Sequence, residues 1–376
     1  MYKFTIILIC MLSIFSCKEK VEEGHQYLIV GTYTSDKSKG VYVYDFNSAD
    51  GACNEISYVN TSNPSYVAVS PNEEFVFAVN ENSNNDNGGE VSSFSFDKKN
   101  GVLTPINKQL TGGDSPCYVD VDHTGKWIFV ANYSSGTLSV LPVNTDGTIG
   151  KATTTIKYDG SGINKQRQEK SHVHCTYISK DNKWLFVSDL GTDKVMVYAF
   201  DANTGVLTPA SKPFIKIKDG GGPRHITFHP NNKFAYLVEE MGGAVDAFNY
   251  KDGSFDSLQH IASVEPNDTG FIGSADIHIS PDGKFLYTSN RGGFNTIAIY
   301  SINQENGTLQ LAGHQPSGGK IPRGFSIDPS GKFLLAANQS SNDIVIFKRN
   351  TETGMLTDTG KRISVGKPVC LKWISK

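Results

Sequence analysis

Short apolar runs of period two alternate along the chain with clusters of Gly, Asn, Asp and Pro, and the arrangement repeats. The clearest copy is 220–241, GGGPRHITFHPNNKFAYLVEEM. It holds a glycine loop, an alternating run at 224–228, a turn at 229–233, a second apolar run at 234–238 and two acids. Alternation half-buries a strand while Pro and Asn punctuate it, so the stretch predicts two short strands joined by a tight turn. Five further copies are NPSYVAVSPNEEFVFAVNE from Asn63, SPCYVDVDHTGKWIFVANY from Ser115, HVHCTYISKDNKWLFVSDL from His172, SADIHISPDGKFLYTSNR from Ser274 and IPRGFSIDPSGKFLLAANQ from Ile321. The polar residues closing each second strand are Asn80, Asn132, Asp189, Glu239, Asn290 and Asn338. Their period of about 50 residues belongs to propeller-type arrays.

After each marker comes a further β-branched run, as at 137–141, 194–200, 296–302 and 343–348, and then a weaker fourth one. Four short strands make one propeller blade. The two ends are incomplete in complementary ways. QYLIVGTYT and GVYVYDF, near the start, read as a second and a third strand, whereas KPVCLKWI at 367–374 reads as an inner strand with nothing after it. Joining them completes a seventh blade and removes an exposed sheet edge. The predicted fold is all-β, a seven-bladed β-propeller of four antiparallel strands per blade, closed by the C-terminal inner strand joining the N-terminal strands.

The first residues follow a different pattern. Lys3 precedes an apolar run at 4–15, too short to span a membrane and typical of a secretory signal. Ile14-Phe15-Ser16 before Cys17 resembles the lipobox of bacterial lipoproteins, in which the cysteine is lipidated and becomes the mature N-terminus. The expected organisation is a signal at 1–17 with Cys17 as the lipidation site, a charged tether at 18–25 and a single propeller domain at 26–376. The expected location is the bacterial cell envelope, periplasm-facing or surface, with contact to the membrane only through the lipid.

Composition narrows the chemistry. A formal net charge of -3 with both signs interspersed leaves no electrostatic footprint for nucleic acid. Cys53, Cys117, Cys175 and Cys370 lie beyond the signal; none has metal-like CxxC spacing and three fall in inner strands of different blades. They read as small buried hydrophobes. A GxSxG elbow and a GxxxxGK[ST] loop are absent from the sequence. A closed propeller needs no partner to cover its edges, so a monomer is expected.

Blade topology sorts the polar residues. Starts of first strands and ends of second strands meet at one mouth, while the intervening turns lie on the far face, which makes His123 and His229 turn residues. The mouth is predicted to receive His172, His174, Arg224, His225, Asp276 and Arg323 from first strands, and Glu81, Asp189, Glu239, Glu240, Arg291 and Gln339 from second strands. Cationic groups and imidazoles around a funnel suit an anionic or strongly polar small ligand. The longest interval, Asn132 to Asp189, brings a polar loop, YDGSGINKQRQEKSHVH, to the same mouth, and Arg167 lies in it.

VGTYT with KGVYVYDF, GSGINKQRQEKSHVH, DLGTDKVMVYAFD, GGGPRHITFHPNNKFAYLVEEM, SPDGKFLYTSNRG, PRGFSIDPSGKFLLAANQ and PVCLKW, in this order, resemble the seven-bladed lactonase family. That family includes the propeller type of 6-phosphogluconolactonase and the fungal carboxy-muconate cycloisomerase. The resemblance covers nearly the whole chain beyond the signal. It implies a catalytic set of His174, Arg224, Glu240 and Arg291, with no metal and no cofactor, acting on a small-molecule lactone. His172, Arg167, Asp276 and Arg323 are the expected substrate-binding groups. The sequence departs from the family at Glu239, where Asn is expected, and at Asp276, where Glu is expected.

Opening a cyclic ester with water needs a base, for which His174 or else His172 is suited, and cations for the oxygen that gains charge, for which Arg224 and Arg291 are suited. Glu240 would orient an arginine or the histidine, or act as acid or base. The expectation is hydrolysis of a sugar lactone. The alternatives are an isomerase that forms or opens a lactone internally, and a non-catalytic envelope propeller binding a glycan or protein.

Overall fold

The computed structural model describes residues 24–35, 37–83, 88–265 and 270–376. The signal, Cys17 and most of the tether lie outside them. Among the described residues the chain forms seven four-stranded antiparallel sheets. Blades 1 to 6 span 67–110, 116–157, 173–216, 223–262, 274–316 and 322–364. Blade 7 takes Pro368–Ser375 as its inner strand A and His25–Thr32, Gly40–Asn47 and Cys53–Asn60 as strands B, C and D. The ring closes by an antiparallel ladder running from Gln26↔Ser375 to Thr32↔Pro368.

Burial explains the uneven strength of the pattern along the sequence. In blade 4, strand B (Phe234–Glu239) is buried at every position, because the neighbouring blades cover both of its faces. Strand D (Ser254–Ala262) alternates between exposed and half-buried residues. Strand B therefore reads as a continuous apolar run and D as a faint alternating one. The third residue of each A–B turn takes positive φ: Glu73, Gly125, Asn182, Asn232, Gly283 and Gly331. This is why Gly and Asn recur there.

The far face is stitched together by one contact that recurs between blades. The C–D hairpin of each blade places a glycine against an aromatic side chain at or near the start of strand B of the preceding blade. A Cβ on Gly205 would lie 2.4 Å from the Trp127 ring, and one on Gly147 2.3 Å from Phe75. Gly51 on Phe333, Gly101 on Tyr27, Gly253 on Trp184, Gly307 on Phe234 and Gly354 on Phe285 repeat it. On this face too, His229 Nε2 lies 2.8 Å from the Gly283 carbonyl and His123 Nε2 3.0 Å from that of Ser179, so both imidazoles bridge neighbouring turns. The four described cysteines are free thiols, with Cys117, Cys175 and Cys370 buried.

Gly205→Ala combines strain at φ +73° with a methyl driven into Trp127, whereas Gly360→Ala has φ +75° and open space around it. Gly360→Ala is expected to cost about 1 kcal/mol and Gly205→Ala about 2–4 kcal/mol. Thermal melts of the two variants measure the difference; equal losses would mean that the glycine contact does not hold the blades together.

Candidate active site

Two local devices aim side chains into the mouth. The first is a β-bulge at the start of the inner strand in several blades. Register shifts fall between Pro116 and Tyr118, Val173 and Cys175, Pro223 and Ile226, and Pro322 and Gly324. An extra residue at such a shift re-aims its side chain; Cys117, His174 and Arg323 reach the cavity from these positions, and Arg224 reaches Glu240 behind it. The second device is the step off the end of strand B. The last strand residue turns into the blade and the next one turns to the mouth. Asn80, Asn132, Asp189, Glu239 and Asn290 are accordingly fully or almost fully buried, while Tyr33, Glu81, Tyr133, Glu240 and Arg291 line a cavity of about 270 Å³. His174, Arg167, Arg323, Cys117 and Phe271 complete its wall.

Glu240 is the electrostatic centre. Its Oε2 accepts a hydrogen bond from Arg224 Nε at 2.9 Å and lies 3.0 Å from Arg291 Nη2, and its Oε1 accepts from Arg167 Nη2 at 2.5 Å. Burial alone would raise the Glu240 carboxyl. Arg291, Arg224, His174 and Arg167 outweigh burial and hold it well below the ordinary carboxylate range. The Arg291 contact is Coulombic, because the direction of its N–H leaves Nη2 without a hydrogen bond while Nε donates to the Gly273 carbonyl at 2.8 Å. Burial, opposed by Glu240, lowers the Arg291 guanidinium to about 10, so it remains charged at neutral pH.

His174 packs edge-on against Tyr133 and His225, and its Nδ1 is buried with no partner. Burial first, then Arg224 and His225, depress it well below the usual histidine value. The imidazole is neutral at physiological pH. Arg323 also has a free head: among the described residues its guanidinium makes no hydrogen bond and stands 5.5 Å from the centre of the Tyr33 ring. The Tyr33 hydroxyl donates to Glu81 Oε2 at 2.7 Å.

The remaining expected site residues lie behind this wall. Arg224 is 2% exposed, and its Nη1 donates to the Ala275 carbonyl at 2.6 Å and faces His225 Nε2 at 3.2 Å. It touches Glu240 and the scaffold, away from the cavity. His172 stacks on Tyr133 with ring centres 4.5 Å apart; its Nδ1 faces the Tyr133 carbonyl and its Nε2 faces Glu169, each at 3.1 Å. It props the phenol whose oxygen lies 3.2 Å from Arg167 Nη2. Asp276 sits deeper, bonded to His225 Nδ1 at 2.8 Å and His278 Nε2 at 3.1 Å, and accepts from the Phe325 amide at 3.2 Å. Asp189 turns inward to cap the His172 and Gly191 amides.

This chain matches the family model described as lactonase, 7-bladed beta-propeller, over residues 27–373. It belongs to that family. It is 41% identical over 334 residues to a 6-phosphogluconolactonase of Formosa agariphila, covering 88% of this chain and 94% of that protein. A crystal structure from Bacteroides fragilis superposes with a TM-score of 0.90 at 42% identity, covering 95% of this chain and 99% of that one. The periplasmic gluconolactonase of Pseudomonas aeruginosa has a TM-score of 0.89 at 34% identity, covering 94% and 99%.

In this lactonase-family site, Tyr33, Tyr133, Cys117 and Phe271 escaped the sequence reading. The first two had a legible signal: each directly follows the last residue of a strand B, as Glu240 and Arg291 do. Cys117 occupies the bulge position, which only the paired strands reveal. Phe271 is 61% exposed and reaches the cavity from a loop without periodic pattern.

The buried histidine pair predicts acid lability. Burial first, then Arg224, against Asp276, lowers His225 to about 3. The unfolded chain titrates at about 6.5 and so binds a proton that the folded protein refuses; stability falls as pH drops from 6.5 toward 3. In His225→Gln the slope of melting temperature against pH between 6.5 and 4 is expected to be shallower than in the parent protein. Parallel curves would show that His225 does not carry this dependence.

Proposed function

We propose that this protein hydrolyses a sugar lactone in the propeller mouth. The observation that carries the reading is the pairing, in one cavity, of a neutral histidine without a partner for Nδ1 and guanidinium groups from Arg167, Arg291 and Arg323. Relatives named 6-phosphogluconolactonase and gluconolactonase support the same chemistry. His174 takes a proton from water as it attacks the lactone carbonyl. The imidazolium that forms lies in the field of Glu240. Arg291, whose Nη2 is ion-paired with Glu240 but makes no hydrogen bond, faces the oxygen that becomes negative in the tetrahedral state. Collapse breaks the bond from the carbonyl carbon to the ring oxygen; that oxygen takes the proton back from His174, leaving a hydroxy acid that ionises.

Glu240 serves this scheme as an anchor, because a carboxylate held by several guanidinium groups is a poor base. Arg224, with its donors turned to Glu240, Ala275 and His225, is a positioning residue. Arg323 and Arg167 hold oxygen-rich or anionic parts of the substrate. Export by the signal at 1–17 and attachment through Cys17 would place the enzyme outside the cytoplasm, where an unphosphorylated sugar lactone is the fitting substrate. No described helix is long and apolar enough to cross a membrane.

A pH-stat assay over γ- and δ-sugar lactones, with and without a 6-phosphate, tests the reading. Acid release above spontaneous opening is expected, greatest on an unphosphorylated member, and His174→Ala is expected to lower kcat about 10²-fold. Because His174 is neutral well below pH 6.5, the acid limb of kcat/KM should lie well below that pH. Rates equal to spontaneous opening on every lactone would overturn the proposal, and full activity in His174→Ala would remove that residue as the base.

The anchor is tested separately by fractionating cells that produce the Cys17→Ser protein. Loss of the chain from the membrane fraction is the expected outcome; unchanged membrane association would rule out lipidation at Cys17.

A further inference from the structure

The polar residue that closes strand B is held by hydrogen bonds in the other blades, although the Oδ1 atoms of Asn132 and Asn338 are buried without a partner. Asn80 donates to Thr61 Oγ1 at 2.8 Å and accepts from Ser92 Oγ at 2.6 Å. Asn132 donates to Thr137 and Ser139 hydroxyls, each at 3.1 Å. Asn290 accepts from Ser274 Oγ and donates to the Ser263 carbonyl, each at 2.6 Å. Blade 4 breaks this pattern. Its closing residue is Glu239, fully buried, and among the described residues no N–H or hydroxyl group donates to either carboxylate oxygen; its neighbour is a second acid, Asp246.

The change is not confined to one position. Register places Ser92 opposite Ala78, two residues before Asn80, and Ser139 opposite Val130, two before Asn132. The equivalent residue in blade 4, opposite Leu237, is Asp246. A neutral Asn–Ser pair has become Glu–Asp, and Asp246 Oδ2 is also buried without a partner. On the next strand outward His260 pairs with Asp246 in register. Its Nδ1 lies 2.8 Å from Asp246 Oδ1 and 3.7 Å from Glu239 Oε1.

We infer that Glu239, Asp246 and His260 form a binding site for a divalent first-row cation such as Zn²⁺, on the flank of blade 4. One ligand atom from each residue lies within 4.8 Å of the others. A tetrahedral ion with bonds near 2.1 Å needs its donors about 3.4 Å apart, which small side-chain rotations supply. One imidazole and two carboxylates form a nitrogen–oxygen set suited to zinc and its neighbours. Asp246 and His260 also line a cavity of about 470 Å³, which leaves room for water as the remaining ligand. An unpartnered buried carboxylate is costly, and a cation removes that cost.

The test is calorimetric titration of purified protein, stripped with EDTA and dialysed, with ZnCl₂ at pH 8. One equivalent is expected to bind with a dissociation constant of about 10⁻⁶ M or tighter, raising the melting temperature. Glu239→Asn installs the residue that other blades carry and so suits the fold. It and His260→Gln, at a partly exposed position, are each expected to weaken binding about tenfold or more. Absence of saturable zinc binding in the parent protein, or the same affinity in both variants, would overturn the assignment.

Discussion

Closure of the ring is the constraint on which the rest of the molecule rests. Pro368–Ser375 must pair with His25–Thr32 in register, or the sheet edge of His25–Thr32 stays open and the inner strands lose their circular arrangement. With the ring closed, equivalent positions of successive blades converge on one axis. Residues far apart in sequence, such as Tyr33 and Arg323, meet in one wall. The far face contributes through the repeated seating of a hairpin glycine on the preceding blade's aromatic ring, which sets how closely blades can approach.

Convergence concentrates charge, and the mouth is balanced around one carboxylate. Arg167, Arg224 and Arg291 could not crowd together without an anion between them, and Glu240 supplies it. The arrangement leaves the arginines unequal. Arg224 has its contacts in Glu240 and the scaffold, while Arg291 Nη2 meets Glu240 without a hydrogen bond and Arg323, among the described residues, has no hydrogen bond on its guanidinium. The same field, together with burial, keeps His174 and His225 neutral. A site of this kind has positive charge ready for a developing oxyanion and an unprotonated imidazole ready for a proton.

Glu239 and Glu240 show how much one step along a strand decides. Period-two geometry sends the first into the blade flank and the second into the mouth. One meets Asp246 and His260, the other several arginines. Their pKa values are driven in opposite directions, upward where burial and a second acid dominate and downward where guanidinium groups do. Two adjacent and chemically similar residues thus serve unrelated environments.

The fold was legible in the chain because a propeller is written as repetition. Six copies of a two-strand pattern, a fixed period and two complementary ends specify blade number and closure without long-range information. The face that would carry the mouth was also readable, since turns and strand ends alternate regularly. Which side chains enter the cavity was decided only in three dimensions. The bulges that aim His174 and Arg323 arise from mispaired registers between strands. The placement of Arg224, His172 and Asp276 behind the cavity wall follows from partners on other strands and blades, at Ala275, Tyr133 and His225. Local pattern determines the direction a strand takes and which residues alternate; hydrogen-bond partners and charge neighbours come from segments that only the closed ring brings together.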